Sequence, residues 1–310
     1  AGRINVYRAI TGKDPNAPPV AVVDGPYTAV EGQAVAFSSA GSIDPNGKPV
    51  TFAWNFGDGS SSTEANPSHT YADNGAFAVT LTVTDQSGLA RTTASTSTIA
   101  NAAPAVSSAL SAGSIVSGGS VSLTGSFSDA GTIDAPWTYA INWGNGTTGG
   151  TLSAPAQITG TRQFCAAGDY AVRLSVTDKD GGTGSDVSTL TVTRGAMPVG
   201  VQGPFNLKSN GTYPVTIFSR PGFDPASIDP ATVSIITNGA VSVNHRNNGT
   251  VHAGYSDENG DGVADLVVHF DRQVLVATYS VTASTTQLVL HADLKNGCGQ
   301  VRGVAPISVN

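Results

Sequence analysis

Residues 75–85 read Gly-Ala-Phe-Ala-Val-Thr-Leu-Thr-Val-Thr-Asp, and residues 168–178 read Gly-Asp-Tyr-Ala-Val-Arg-Leu-Ser-Val-Thr-Asp. Apolar residues fall at every second position in both: Phe77, Val79, Leu81 and Val83 in the first, Tyr170, Val172, Leu174 and Val176 in the second. A period of two, with Thr, Ser or Arg between the apolar positions, is the pattern of a half-buried β-strand. The match extends upstream. Tyr71 precedes Phe77 at the spacing by which Phe164 precedes Tyr170. Trp54-Asn55-Phe56-Gly57-Asp58-Gly59-Ser60 lies before the first pair, and Trp143-Gly144-Asn145-Gly146-Thr147 before the second. One unit is therefore present twice, with a few extra residues inside the second copy.

Alternation recurs at Leu190-Thr191-Val192-Thr193 and Ser280-Val281-Thr282, while helical periodicity is nearly absent. Turn signals separate the strands at Pro45-Asn46-Gly47, Asn145-Gly146, Asp180-Gly181-Gly182 and Asn248-Gly249. The reading is all-β: three tandem β-sandwich-like domains with an N-terminal extension strand. The expected limits are 1–16 for the extension, 17–101 and 102–194 for the two copies, and 195–310 for a distinct C-terminal domain. The joints, Ala17-Pro18-Pro19, Asn101-Ala102-Ala103-Pro104 and Arg194-Gly195-Ala196-Met197-Pro198, are short and contain Pro, which predicts semi-rigid, end-to-end domains.

Composition narrows the function. The chain has 310 residues, 12% of them charged, and carries 22 acids against 15 bases. No basic stripe exists, which excludes a nucleic-acid binder, and no apolar run is long enough for a membrane helix. Glu31, Glu64 and Glu258 are the three glutamates; every other acid is Asp, which suits turns, caps and calcium loops. The Ala1-Gly2 start suits cleavage of an exported precursor, and the composition fits a secreted or cell-surface protein.

Ser42-Ile43-Asp44-Pro45-Asn46-Gly47, Trp54 to Ser60, His69-Thr70-Tyr71 and the run from Gly75 to Asp85 resemble the PKD domain, an immunoglobulin-like β-sandwich. The second copy resembles a degenerate PKD domain, keeping Trp143-Gly144-Asn145-Gly146 but with Asn145 where the family has Asp, and Cys165 after Phe164. Residues 195–310 resemble a β-rich module of bacterial exported proteins, through Phe205 to Gly211, Tyr213 to Ile217, Phe223 to Pro230 and Asp257 to Phe270; the likeness drifts after Asp271. The PKD resemblance implies a non-catalytic spacer, adhesion module or binding appendage.

The sharpest chemical motif is Asp257-Glu258-Asn259-Gly260-Asp261-Gly262-Val263-Ala264-Asp265. Side-chain oxygens from Asp257, Asn259, Asp261 and Asp265, with the Val263 carbonyl, have the spacing of a Ca²⁺ loop, and glycine stands at the sharp turn. The competing reading is a tight Asp/Asn/Gly hairpin without metal. Asp44, Asp58 and Asp85, with counterparts Asp129 and Asp178, are candidates for a further ion site, although Asp44 and Asp85 equally suit turns that cap their own backbone. His69 is expected to pack and hydrogen-bond near a strand start, and His252 to lie on a surface loop. No nucleophile elbow, phosphate loop or His-Glu-x-x-His occurs, so the reading is not an enzyme.

Cys165 and Cys298 fall in different expected domains; they can bridge domains, bridge subunits or stay as thiols, and an oxidising compartment favours a bridge. Ile4 to Ile10 reads as a strand with no local partner, which points to strand donation between copies. The expected function is a self-associating extracellular structural subunit: a filament, surface layer or adhesive stalk. The alternative is a polysaccharide- or protein-binding appendage of an extracellular degrading system. Trp54 and Trp143 are assigned to cores, which leaves Trp137 as the spare aromatic for a sugar platform.

Overall fold

The computed structural model describes residues 16–236, 240–242, 251–277 and 281–310. The extension strand expected over residues 4–10 lies outside them. The rest is nearly all β, built round three separate cores.

In the first domain the strand Gly75–Asp85 buries Val79, Leu81 and Val83 on one face, as its alternation requires. It lies in a five-stranded sheet of order Tyr27–Val30, Ala90–Ala100, Gly75–Asp85, Val50–Asn55, Ser61–Ser62. The facing layer is the pair Ala34–Ala36 and Ser68–Thr70. Phe37, Trp54, Phe56 and Tyr71 fill the space between; the Trp54 indole donates to the Glu64 carbonyl, and the Tyr71 hydroxyl to the Phe56 carbonyl. Both polar tips are thereby satisfied inside an apolar core.

The second domain repeats the plan. Its five-stranded sheet runs Thr147–Leu152, Trp137–Asn142, Gly168–Thr177, Thr183–Thr193, Ser114–Val116. A three-stranded sheet of Ile158–Gln163, Ser120–Ser128 and Ala105–Leu110 covers it. The register refines the repeat. Trp54 stands opposite Leu81, whereas Ile141 stands opposite Leu174. Asn55 and Asn142 each accept the N–H two residues on, from Gly57 and Gly144. Trp143 therefore occupies the place of Phe56, and Ile141 that of Trp54. Trp137 is not spare: it is 3% exposed, packs on Phe127, and donates its indole N–H to Asp129.

The third domain stacks a five-stranded sheet (Gly195–Ala196, Gln300–Pro306, Gln287–Asp293, Ser234–Ile236, Ala240–Ser242) on a four-stranded one (Val199–Val201, Thr212–Ile217, Asp265–Asp271, Ala253–Ser256). Two features depart from the all-β expectation. Residues 272–277 form a short helix, because Asp271 accepts the N–H groups of Gln273 and Val274 as an N-cap. Val281, expected in a strand, is buried but outside any strand, and its N–H donates to the Leu275 carbonyl.

Both joints follow one design. In each PKD-like unit a short early strand, Tyr27–Val30 or Ser114–Val116, runs parallel to the last strand. The next residue, Glu31 or Ser117, donates its N–H to the end of that last strand, at Ala100 or Thr193. A glycine with positive φ follows: Gly32 at 75° and Gly118 at 91°. Each touches the next domain. A Cβ on Gly32 would stand 2.7 Å from the Ala130 carbonyl oxygen, and one on Gly118 would stand 3.3 Å from that of Cys298.

At the second joint the Cys165–Cys298 disulfide links the domains within one chain, which settles the pairing. The Ser117 hydroxyl also donates to the Gln300 carbonyl and accepts the Gln300 N–H, both at 2.7 Å. The bridged residues lie 133 positions apart, a long loop to constrain in the unfolded chain. Replacing both cysteines by serine is expected to lower stability by about 2–4 kcal/mol. The check is urea unfolding of the double variant; an unchanged midpoint would show that the bridge adds nothing.

Candidate metal centres

The loop over 257–265 joins the strands Ala253–Ser256 and Asp265–Asp271, and Gly260 and Gly262 supply its positive-φ positions, 74° and 86°. Asp257 accepts the N–H groups of Gly260 and Asp261 on one oxygen and of Gly262 on the other. Asn259 accepts from the Asp261 N–H and donates to the Asp261 carboxylate. Asp261 also accepts the Val263 N–H at 2.8 Å and the Ser219 hydroxyl at 3.0 Å. The Val263 N–H, with help from Ser219 and Asn259, holds the Asp261 carboxyl below its ordinary range despite the opposing effect of desolvation. Asp265 is fully buried and accepts the Ser219 and Glu258 N–H groups, pinning the loop to the domain. The five proposed ligands thus share one loop. Each carboxylate oxygen already has a donor, although a carboxylate oxygen keeps a further lone pair for a cation.

The other candidate acids separate into distinct jobs. Asp85 and Asp178 end equivalent strands and act alike. One oxygen of each accepts two backbone N–H groups of the following turn, from Ser87 and Leu89 or from Asp180 and Gly182. The other oxygen accepts the side-chain amide of the residue that enters the domain, Asn16 or Asn101. Asp44 accepts the Asn46 N–H, and its second oxygen is buried without a partner. Asp58 pairs with His69 at 2.6 Å, and His69 stacks on Phe56 with ring centroids 4.3 Å apart.

Asp129 is brought to two acids that the motif reading did not single out, Glu31 and Asp134. Oxygens of all three lie within 4.8 Å of one another at the first joint. Glu31 comes from the turn after the parallel strand Tyr27–Val30; its Oε1 accepts the Ala102 N–H of the linker at 2.7 Å. Asp129 follows the strand Ser120–Ser128 and holds the Trp137 indole with Oδ2. Asp134 packs against Gly131, where a Cβ would stand 2.1 Å from its Oδ2. Glu31 and Asp134 are fully buried. Glu31 Oε2, Asp129 Oδ1 and Asp134 Oδ2 have no hydrogen-bond partner. Burial is the largest influence on both Glu31 and Asp134 and, with the nearby Asp129 carboxylate, raises both carboxyls above the usual range against the opposing pull of the Ala102 N–H on Glu31 and of Lys179 on Asp134. The one signal in the sequence was the rarity of Glu: one of three stands directly before a glycine that the next domain touches.

A second acid group, Asp73, Asp134 and Asp180, lies beside the first. Lys179 fills it, bonding Asp73 at 2.7 Å, Asp134 Oδ1 at 3.3 Å, and Asp180. With the backbone bond from Thr132 to the Ala72 carbonyl, the Asp73–Lys179 pair stitches the first two domains together.

His252 is half-buried and stacks on His269 with centroids 4.1 Å apart, a packed pair and not a free loop residue. All three tryptophans are buried, and among the described residues Tyr255 is the one aromatic counted with the exposed large apolar side chains. A flat aromatic platform for sugar is not assembled among the described residues.

The PKD domain model matches residues 16–100 and 101–193. A microbial collagenase of Vibrio alginolyticus is 44% identical over 85 residues, 27% of this chain and 10% of that protein. Collagenase ColA of Bacillus cereus is 46% identical over 66 residues, 21% of this chain and 7% of its own. The matches thus span a tenth or less of those relatives. Among solved structures, the PKD1 domain of Vibrio cholerae metalloprotease PrtV is 38% identical, covers 27% of this chain and 100% of its own, and gives a TM-score of 0.25.

The Asp58–His69 pair carries a pH prediction. Burial alone would raise the Asp58 carboxyl, but Ser60 and His69 outweigh it and hold the carboxyl below its ordinary value. A depressed carboxyl adds stability above its unfolded pKa of about 3.9 and loses it as pH falls through the folded value. Asp58→Asn is therefore expected to cost about 1–2 kcal/mol at pH 7 and less at pH 3. Urea midpoints of both proteins at the two pH values check this; an equal difference at both would refute it.

Proposed function

The chain belongs to the PKD domain family, and from that premise we propose that it is a non-catalytic extracellular accessory segment, a semi-rigid arm that spaces or presents other parts of a larger surface or secreted protein. The observation that carries this is the pair of joints. Each is a few residues long, and each is stitched by direct bonds: Thr132–Ala72 and Lys179–Asp73 at one, Cys165–Cys298 and Ser117–Gln300 at the other. Domains held so keep their spacing, unlike beads on a Gly/Ser linker. The relatives named as collagenases support an appendage of a protein-degrading system. Burial of Trp54, Trp137 and Trp143 makes a protein partner the better reading than a polysaccharide. Small-angle scattering of the full chain is expected to give an elongated particle of one shape; a broad or compact distribution would end this reading.

Calcium in the loop of Asp257, Asn259, Asp261, Val263 and Asp265 belongs to the same proposal, as a stiffener of the third domain. Its support is the ligand spacing and the two positive-φ glycines. Calorimetry with Ca²⁺ is expected to show binding that Asp257→Ala weakens by about tenfold or more. Unchanged affinity would remove the loop from the reading.

Self-assembly is the second reading. Its support is a surface poor in charge, 12% of the chain, which offers little repulsion between copies. Its donor is the segment 4–10. Sedimentation at high concentration should show polymers for the whole chain and monomers once residues 1–12 are deleted; identical profiles would dismiss strand donation.

A further inference from the structure

We propose that the second joint carries a docking surface for an acidic peptide segment of a partner protein, and that Arg162, Arg194 and Arg302 hold its carboxylates. Two open clefts flank the loop over residues 165–169. One, of about 480 Å³, is bordered by Asn145, Arg162 and Tyr170; the other, of about 440 Å³, by Asp169, Arg194 and Arg302. Bases are the minority in this chain, 15 against 22 acids. Yet among the described residues no carboxylate lies within ion-pair distance of any of these three arginines. A cation that the protein leaves unpaired in a cleft is available to a ligand that brings the opposite charge.

The repeat shows that the first cleft lacks a counter-charge its counterpart has. Gly57-Asp58-Gly59 and Gly144-Asn145-Gly146 are the same turn, and His69 stands two residues before Tyr71 as Arg162 stands two before Phe164. In the first domain the acid and the base meet, Asp58 with His69 at 2.6 Å. In the second domain the base is a permanent cation and the acid is an amide. Arg162 Nε donates to Asn145 Oδ1 at 3.2 Å, and Nη2 to the Asn145 carbonyl at 3.0 Å. Those bonds fix the plane of the guanidinium without neutralising it. Nη1 and the second Nη2 hydrogen remain for a ligand, and a planar fork of that kind is suited to a carboxylate.

The second cleft straddles the joint. Arg194 belongs to the linker, and Arg302 to the third domain's strand Gln300–Pro306, where it stands opposite His291. Burial first, and then the charges of Arg194 and Arg302, hold the His291 imidazole below its ordinary value, so both guanidiniums act on one place. The acid in the lining is Asp169, whose Oδ1 accepts the Thr191 hydroxyl at 2.8 Å. One Asp against two arginines leaves the cleft cationic. The Cys165–Cys298 bridge and the bond from the Ala167 N–H to the Gln300 side chain tie the intervening loop to the third domain. Charges from two domains thus keep a fixed spacing, and binding has little of the protein left to order. Single charges spread over two clefts match carboxylates spaced along a chain better than one concentrated dianion. Sugar fits less well: Tyr170 packs edge-on against Phe164 and its hydroxyl is tied to the Ala166 carbonyl, so it presents no free platform.

This rests on the reading of the chain as an accessory arm and says what the arm holds. The test titrates the full chain, its disulfide intact, with a hexaglutamate peptide by calorimetry. Binding is expected at low salt and should weaken as salt rises. Arg162→Gln, Arg194→Gln and Arg302→Gln should each weaken it about two- to fivefold, and the triple variant about tenfold or more. Arg91→Gln, which removes an exposed base of the first domain and changes net charge equally, should leave it unchanged. Asn145→Asp puts back the acid that the first domain has, and should weaken binding as much as Arg162→Gln does. Thermal unfolding of Asn145→Asp, no lower than that of its parent, shows that the variant folds. No binding, or equal weakening by Arg91→Gln, overturns the site. Tighter binding of an oligogalacturonate through the same arginines overturns the peptide as its ligand. An elongated particle that ignores the peptide defeats the docking surface alone; a compact particle that binds it through these arginines defeats the arm alone.

Discussion

The short strand that runs parallel to the last strand of each PKD-like unit sets the shape of the chain. Tyr27–Val30 pairs with Ser97 to Ala100, and Ser114–Val116 with Thr191 to Thr193, at the edge where the chain leaves the domain. Parallel pairing puts the end of the early strand beside the end of the late one. The turn that follows the early strand, Glu31-Gly32 or Ser117-Gly118, is thereby carried to the exit face. A linker of a few residues then has no room to hold the next domain away, so the turn must meet it. The positive φ of Gly32 and Gly118 lets that turn lie flat against the neighbour, where a side chain would collide. The joint is thus a consequence of strand direction and linker length, before any specific bond is considered.

What fills the two joints differs chemically although the backbone is the same. At the second, a hydroxyl and a disulfide use groups that carry no charge at neutral pH. At the first, acids from both sides converge: Glu31 from one domain, Asp129 and Asp134 from the other, with Asp73, Asp180 and Lys179 alongside. Lys179 is pulled down by desolvation but raised well above its ordinary range by the hydrogen bonds it donates to Asp180, Asp73 and Asp134, which keeps it charged. One lysine shared among three carboxylates leaves the remaining acids uncompensated. The first joint is therefore the place where solution conditions can act on the geometry of the chain.

Much of the fold could be read from the sequence because strands announce themselves locally. Val79, Leu81 and Val83 face one way because a pleat has a period of two, and no distant residue is needed to know it. Register is less local. Trp143 looked like Trp54 because indoles are rare, yet pairing across the sheet places it with Phe56, and Ile141 with Trp54. Trp137 looked spare because its core role depends on Phe127 and Asp129 in another strand and turn. The run 272–277 gives little sign of helix in its Val-Leu-Val, and Asp271 as a cap outweighs that tendency. Val281 has the right composition for a strand but too few neighbours of alternating type to fix one.

The acid site was harder to see for a reason that is physical and general. The motif of a calcium loop is legible when its residues share one turn, as the acids of Asp257 to Asp265 do, because spacing along the chain then equals spacing in the loop. Glu31, Asp129 and Asp134 share no turn. Glu31 reaches the others only after two domains have folded and docked, so no spacing rule links them. Their common property is an energetic one, three buried oxygens without donors, and that exists only in the assembled joint. The cluster belongs to the joint and to neither domain alone, since Glu31 apart from the second domain would be solvated.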